Sequence, residues 1–152
     1  MVRVREFRGK RVDGGGWVYG SLLHQNEPAE RYVIFGGNPF DPDSWYNVDS
    51  GSIGENTGLV DLDGTPIYEG DFLLATNAIT ADREMQLHRA VKFQKGAFTF
   101  GYCEDPRLLY DYATNCVVMG RVVGNETDNP GIVDFWREAD EAWRKEMDLS
   151  DY

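Results

Sequence analysis

Asp61, Asp63, Glu69 and Asp71 crowd into the stretch Asp61-Leu62-Asp63-Gly64-Thr65-Pro66-Ile67-Tyr68-Glu69-Gly70-Asp71. Paired carboxylates can divide acid and base roles or hold a divalent cation, so this stretch defines a metal-dependent hydrolase reading. The competing reading is turn chemistry. With 26 Asp+Glu in 152 residues, neighbouring acids are common. Asp61-Leu62-Asp63-Gly64 opens like a calcium loop, but its glycine comes too early and Pro66 interrupts the ligand spacing; a hairpin turn explains it better. Asp41-Pro42-Asp43 reads as a turn as well. His24 and His88 stand alone, without a second His or Cys at ligand spacing. Cys103 and Cys116 read as reduced, packed thiols. No Gly-x-Ser-x-Gly elbow occurs, and no Lys-Ser/Thr follows Gly14-Gly15-Gly16, so neither a nucleophile nor a phosphate loop is indicated. The expectation is no catalytic residue, no metal and no cofactor.

Two other groups of residues point to binding. Arg3, Arg5, Arg8, Lys10 and Arg11 form the one basic strip, with Phe7, Trp17 and Tyr19 beside it. Such a strip suits a single-stranded nucleic acid, and its bland counterpart is an edge strand guarded by charge. The formal net charge of −11 argues against nucleic acid for the chain as a whole, without removing it as the alternative. Trp17, Tyr19, Trp45, Tyr46, Trp136 and Trp143 are candidate anchors for a protein partner, a second copy of the chain included.

The elements that must position these residues are mostly strands. Short runs rich in Val, Ile, Tyr, Phe and Trp alternate with glycine turns: Trp17–Leu23, Arg31–Phe35, Asp71–Ala75, Arg89–Phe93, Ala97–Tyr102 and Cys116–Val123. Gln94-Lys95-Gly96 marks a hairpin. Short antiparallel strands at this spacing predict a small barrel or sandwich. Val12–Leu23 and Leu62–Leu73 share an Asp-Gly turn followed by strand residues, a weak internal echo. No signal peptide and no run long enough to span a membrane is seen, which leads to an expected cytoplasmic protein.

The C-terminal stretch reads differently. Asn129 suits a helix N-cap and Pro130 the first turn. Ile132, Trp136, Ala139, Trp143 and Met147 then fall on one helical face, opposite a charged one. Residues 125–152 carry nine acids against three bases, more than half of the net charge. The division expected is a β domain over 1–126 and an amphipathic helical appendage over 127–152, packed on that domain or on a partner.

Phe7-Arg8-Gly9-Lys10-Arg11-Val12-Asp13 followed by Gly16-Trp17-Val18-Tyr19-Gly20-Ser21-Leu22 resembles the opening of the YopX family of phage and prophage proteins. So does Ser52–Asp61, running on through Gly64-Thr65-Pro66-Ile67-Tyr68-Glu69-Gly70-Asp71. Met119–Asn125 and Asn129-Pro130 resemble the family's closing strand and exit. The family-motif residues here are Thr57, Gly58, Asp61, Gly64, Ile67, Tyr68, Glu69, Gly70 and Asp71. The resemblance implies a mainly β protein with an SH3-type barrel, a phage or prophage origin in a bacterial host cell, and no established activity. The expectation drawn is an accessory protein that binds another macromolecule, a protein before a nucleic acid, with no catalysis.

Overall fold

The computed structural model describes residues 2, 4–38, 40–77, 82–87, 90–94, 96–100, 107–108, 110–111, 116–117, 120–132, 134 and 138. The described elements are strands β1 (Phe7–Lys10), β2 (Trp17–Gln25), β3 (Arg31–Phe35), β4 (Trp45–Val48), β5 (Gly54–Val60), β6 (Pro66–Tyr68) and β7 (Asp71–Asn77), then β8 (Asp82–Leu87), β9 (Lys92–Gln94), β10 (Ala97–Phe100), β11 (Arg107–Leu108), β12 (Tyr110–Asp111), β13 (Cys116–Val117) and β14 (Gly120–Asn125). Single 3₁₀ turns at Pro42–Ser44 and Ser50–Ser52 precede β4 and β5.

The fold is mainly β, and every pairing is antiparallel. A six-stranded sheet has the order β4-β3-β2-β1-β5-β6, and a three-stranded sheet the order β14-β7-β8. The hairpin β9–β10 pairs Ala97 with Gln94 around the turn that the sequence marks, and β11 extends it. β12 and β13 form a separate pair.

Strand alternation sorts the side chains of β1–β4. Strand-paired residues share a face and successive residues alternate. Val18, Leu22, Ile34, Tyr46 and Val48 therefore take the concave side with Gly9 between them, and Ile34 and Val48 are buried. Gly9 is required there: a Cβ would sit 2.9 Å from Val48 Cβ and 3.1 Å from Ile34 Cδ1. The sheet curls around this contact until Arg11 bridges Val48. That curl is held by one bridge rather than a ladder, so the described strands form open sheets and no closed barrel. A second core, Ile67, Leu73 and Val91 with Leu59, Phe98 and Val122 around it, joins β5 and β6 to β7, β10 and β14.

Three expectations are changed. β1 is not a charge-guarded edge strand: it lies inside the sheet between β2 and β5. The echoed segments share their Asp-Gly turn only, since β2 runs unbroken whereas a turn at Glu69-Gly70 separates β6 from β7. The SH3-type closure is replaced, among the described residues, by the curled open sheet. At the C-terminal end Ile132, Asp134 and Glu138 are helical, and Ile132 packs on Phe72 and Ala90. The rest of the expected helix, with Trp136 and Trp143, lies outside the described residues. No helix among the described residues is long and apolar enough to cross a membrane.

Candidate functional site

The convex side of β1–β4 carries Arg8, Lys10, Trp17, Tyr19, Leu23, Phe35 and Trp45. Its two halves differ in what meets them. Toward β5 and β6 the face is closed by the turn into β7; toward β3 and β4 Tyr19, Leu23 and Trp45 are exposed around a buried Val33 and a half-buried Phe35.

The covered half is built around a buried ion pair. Arg8 Nη2 lies 2.7 Å from Asp71 Oδ1, with side chains only 9% and 1% exposed. Asp71 opens β7 because its other oxygen accepts the Tyr68 backbone N–H at 2.8 Å, closing the Tyr68–Asp71 turn. Gly70 supplies the left-handed conformation that this turn needs (φ +94°). The turn is a junction: Glu69 N–H bonds Glu55 O, Gly70 N–H bonds Val91 O, and Glu126 N–H bonds Gly70 O. Gly54 permits the approach, since a Cβ there would fall 2.2 Å from Glu69 O.

Arg8 also donates to Glu69 O at 3.4 Å. Its guanidinium is flanked by the Trp17 and Tyr68 rings, each centroid 4.9 Å away. Nε of Arg8 has no hydrogen-bond acceptor, so the aromatic faces supply the compensating electron density. Burial pushes the Asp71 carboxyl above its usual range, offset in part by the Tyr68 N–H and by Arg8. Tyr68 donates its hydroxyl to Glu6, and burial followed by that carboxylate pushes its pKa up.

The carboxylates of the hydrolase reading do not converge as a free set. Asp61 accepts from the backbone N–H groups of Asp63, Thr65 and Val122, tying the β5–β6 hairpin to β14. Burial pushes its carboxyl up, and these N–H donors outweigh burial and hold it below the usual range. Asp63 meets Arg121 at 3.1 Å, Glu69 accepts the Phe93 N–H, and Asp71 holds Arg8. Among the described residues no three His, Cys, Asp or Glu side chains cluster in a way that could hold a metal.

The basic strip is neutralised along its described length. Arg5 meets Glu55, Arg8 meets Asp71, Lys10 meets Asp128 and Arg11 meets Asp13. Arg8 is largely buried against Asp71, at the wall of a pocket that Ser52, Glu69, Lys92 and Glu126 also line; Arg3 lies outside the described residues. Asp128 accepts from both Lys10 Nζ and Trp17 Nε1, and those bonds, Lys10 first, lower its carboxyl to about 2.

The open half holds the aromatic candidates. Tyr19, Leu23 and Trp45 are 47%, 43% and 40% exposed. Phe35 links them, meeting Trp45 edge-on at 5.1 Å, pairing in register with Ser21 and so lying diagonal to Tyr19 and Leu23. Tyr19 in turn contacts Tyr68 at 5.6 Å. Trp17 is half-buried against Arg8 and Asp128. Tyr46 falls on the opposite, concave side, under the Arg11 guanidinium at 4.6 Å, so it does not join this face. His24 stacks on Tyr32 and contacts Glu30; His88 lies outside the described residues. Leu23 and Phe35 were not candidates on sequence. Their signal is that β2 and β3 are apolar at successive positions, which gives both faces of the sheet something to bury.

An antiparallel β protein with a buried Arg–Asp centre and an open aromatic face is the class these features define. The family model described as YopX protein matches residues 6–134, and the chain belongs to the YopX family. The fold is similar to that of the crystal structure of protein EF1440 from Enterococcus faecalis, at 18% identity and a TM-score of 0.56, covering 87% of this chain and 99% of that one. No curated protein matches the chain.

Proposed function

We propose that this protein is a phage- or prophage-type accessory protein that acts in the bacterial cytoplasm by binding another protein, without catalysis. The observation that carries this reading is the open aromatic face of Tyr19, Leu23, Phe35 and Trp45. Tyr19, Leu23 and Trp45 are exposed and Trp45 packs on the half-buried Phe35, and exposed aromatic and aliphatic side chains gathered on one face are the usual material of interface anchors. The competing uses of the chain find less support. Each described cation of the basic strip already faces a carboxylate, which weakens a nucleic-acid module. Asp61, Asp63, Glu69 and Asp71 are each engaged by backbone or by a basic side chain, which weakens a metal-dependent hydrolase. On the same reading the curl of β1–β4 is an SH3-type arrangement, and 127–152 is an amphipathic helix set on the β domain or on a partner.

The test is a pull-down from the lysogenic host with wild type and with the double variant Tyr19→Ser/Trp45→Ser, followed by reconstitution with the purified partner. The expected result is a partner bound directly by wild type and lost by the variant. Equal capture by both would refute the face as the binding surface. Light scattering distinguishes the self-associating form of the proposal, for which Trp45→Ser shifts a dimer to monomer.

A further inference from the structure

The loops that border the open face are acidic. The β2–β3 loop carries Glu27 next to the Leu23 end of the face, with Glu30 turned to His24 and Tyr32 on the other side of the sheet, and the loop before β4 carries Asp41 and Asp43 next to the Trp45–Phe35 end. All of them are exposed. Arg31, the base at the margin of the face, is held by Gln25 through Nε at 2.7 Å. Phe40, 90% exposed in the loop before β4, adds an apolar group at that end.

We propose that the occupant of this face is a cationic polypeptide segment, with Lys or Arg side chains flanking apolar anchors. The inference rests on the protein-binding reading above and names the chemistry of its partner. Apolar anchors would cover Leu23, Phe35 and Trp45. The flanking cations would lie beside the exposed Tyr19 ring and reach the acidic loops at both ends. A second copy of this chain brings the same acids to the contact, and like charges placed together repel. A phosphate backbone meets the same repulsion. The net charge of −11 favours encounter with a basic partner over either.

Glu27 and Asp43 are the residues to reverse, because both are exposed at opposite ends of the face. The variants are Glu27→Lys/Asp43→Lys, which leaves the aromatics in place, and Tyr19→Ser/Trp45→Ser, which leaves the charges. The probes are a short synthetic peptide alternating Leu and Lys, its Leu/Glu counterpart, and an oligo-dT strand, with binding measured by calorimetry at low and high salt. The expected result is binding of the Leu/Lys peptide alone, weakened by salt and weakened about tenfold or more by either variant. Glu27→Lys/Asp43→Lys is also expected to gain affinity for the Leu/Glu peptide. Equal binding of the Leu/Lys and Leu/Glu peptides, binding of oligo-dT alone, or a dimer lost on Trp45→Ser would overturn the cationic occupant. If only the aromatic variant loses binding, the face stands as a protein-binding surface and the cationic partner falls. If neither variant changes binding, both fall.

Discussion

Replacing Asp71 with asparagine removes one charge and keeps the shape. The amide oxygen can still accept the Tyr68 N–H, so the turn into β7 is retained. What is lost is the 2.7 Å contact with Arg8, whose side chain is only 9% exposed and whose Nε already has no acceptor. An uncompensated buried charge of this kind costs about 3–5 kcal/mol. A domain of this size has a total stability of about 5–15 kcal/mol, so the variant gives up a large share of it. At about 2–4 °C per kcal/mol, the melting temperature should fall by about 6–20 °C. Chemical denaturation of wild type, Asp71→Asn, Arg8→Met and the double variant completes a thermodynamic cycle. The double variant should be more stable than the sum of the single losses predicts, by about 1 kcal/mol or more, because it leaves no stranded cation. Arg8→Met should also be pH-sensitive with a defined sign. Burial already raises the Asp71 carboxyl, and removing Arg8 removes a group that opposes the rise. The folded variant then binds a proton that the unfolded chain releases. Its deficit should be smallest below the ordinary carboxylate pKa of about 4 and should grow as pH rises above it. An Asp71→Asn loss under about 1 kcal/mol, or a coupling under about 0.5 kcal/mol, would refute the account of Arg8 as a cation stabilised by this carboxylate.

Further outcomes follow from the same geometry. Asp61→Asn turns an amide N–H₂ or a weaker acceptor toward backbone donors on both sides and should cost about 1–3 kcal/mol in denaturant titration. Because the Asp61 carboxyl is lowered in the fold, its contribution is present above the unfolded pKa and is lost as pH falls through the folded one; the variant's stability should be flatter with pH in that acid range. Asp128→Asn should remove a similar acid-range component, ending near pH 2, and should change the Trp17 fluorescence, since Asp128 accepts its indole N–H. Gly54→Ala should lower the melting temperature more than Gly70→Ala. A Cβ at 54 collides with the backbone at Glu69 O, whereas one at 70 meets nothing closer than 3.6 Å and bears only its left-handed conformation, about 1–2 kcal/mol.

What the sequence makes legible is local. The runs Trp17–Leu23 and Arg31–Phe35 are strands because β-branched and aromatic residues alternate between turn residues, and Gln94-Lys95-Gly96 marks its hairpin for the same reason. The acidic stretch reads as turn chemistry because Asp and Gly serve their own neighbouring backbone, which spacing records directly. What is not legible depends on long-range pairing. Arg8 looks like one more base in an exposed strip until the turn from β6 into β7 brings Tyr68 and Asp71 to it, 60 or more residues away in the chain. Lys10 and Asp128 meet in the same way across 118 residues. The inner position of β1 is hidden too, because which strand pairs with which is set by the closing of loops and not by the composition of any one strand.

The division of the convex face ties these points to function. β1 and β2 present cations and aromatics to one side, Arg8, Lys10, Trp17 and Tyr19, and the Tyr68–Asp71 turn meets them at the β1 end. At that end each described cation acquires a carboxylate, Arg8 in the interior and Arg5 and Lys10 at the surface. At the other end the same alternation continues through Leu23, Val33, Phe35 and Trp45, where Val33 is buried while Leu23 and Trp45 stay exposed. A sheet that buried both faces for stability alone would be expected to cover these residues or to make them polar. On the proposed reading, the exposed apolar side chains Leu23 and Trp45 are the part of this face that a protein partner would cover.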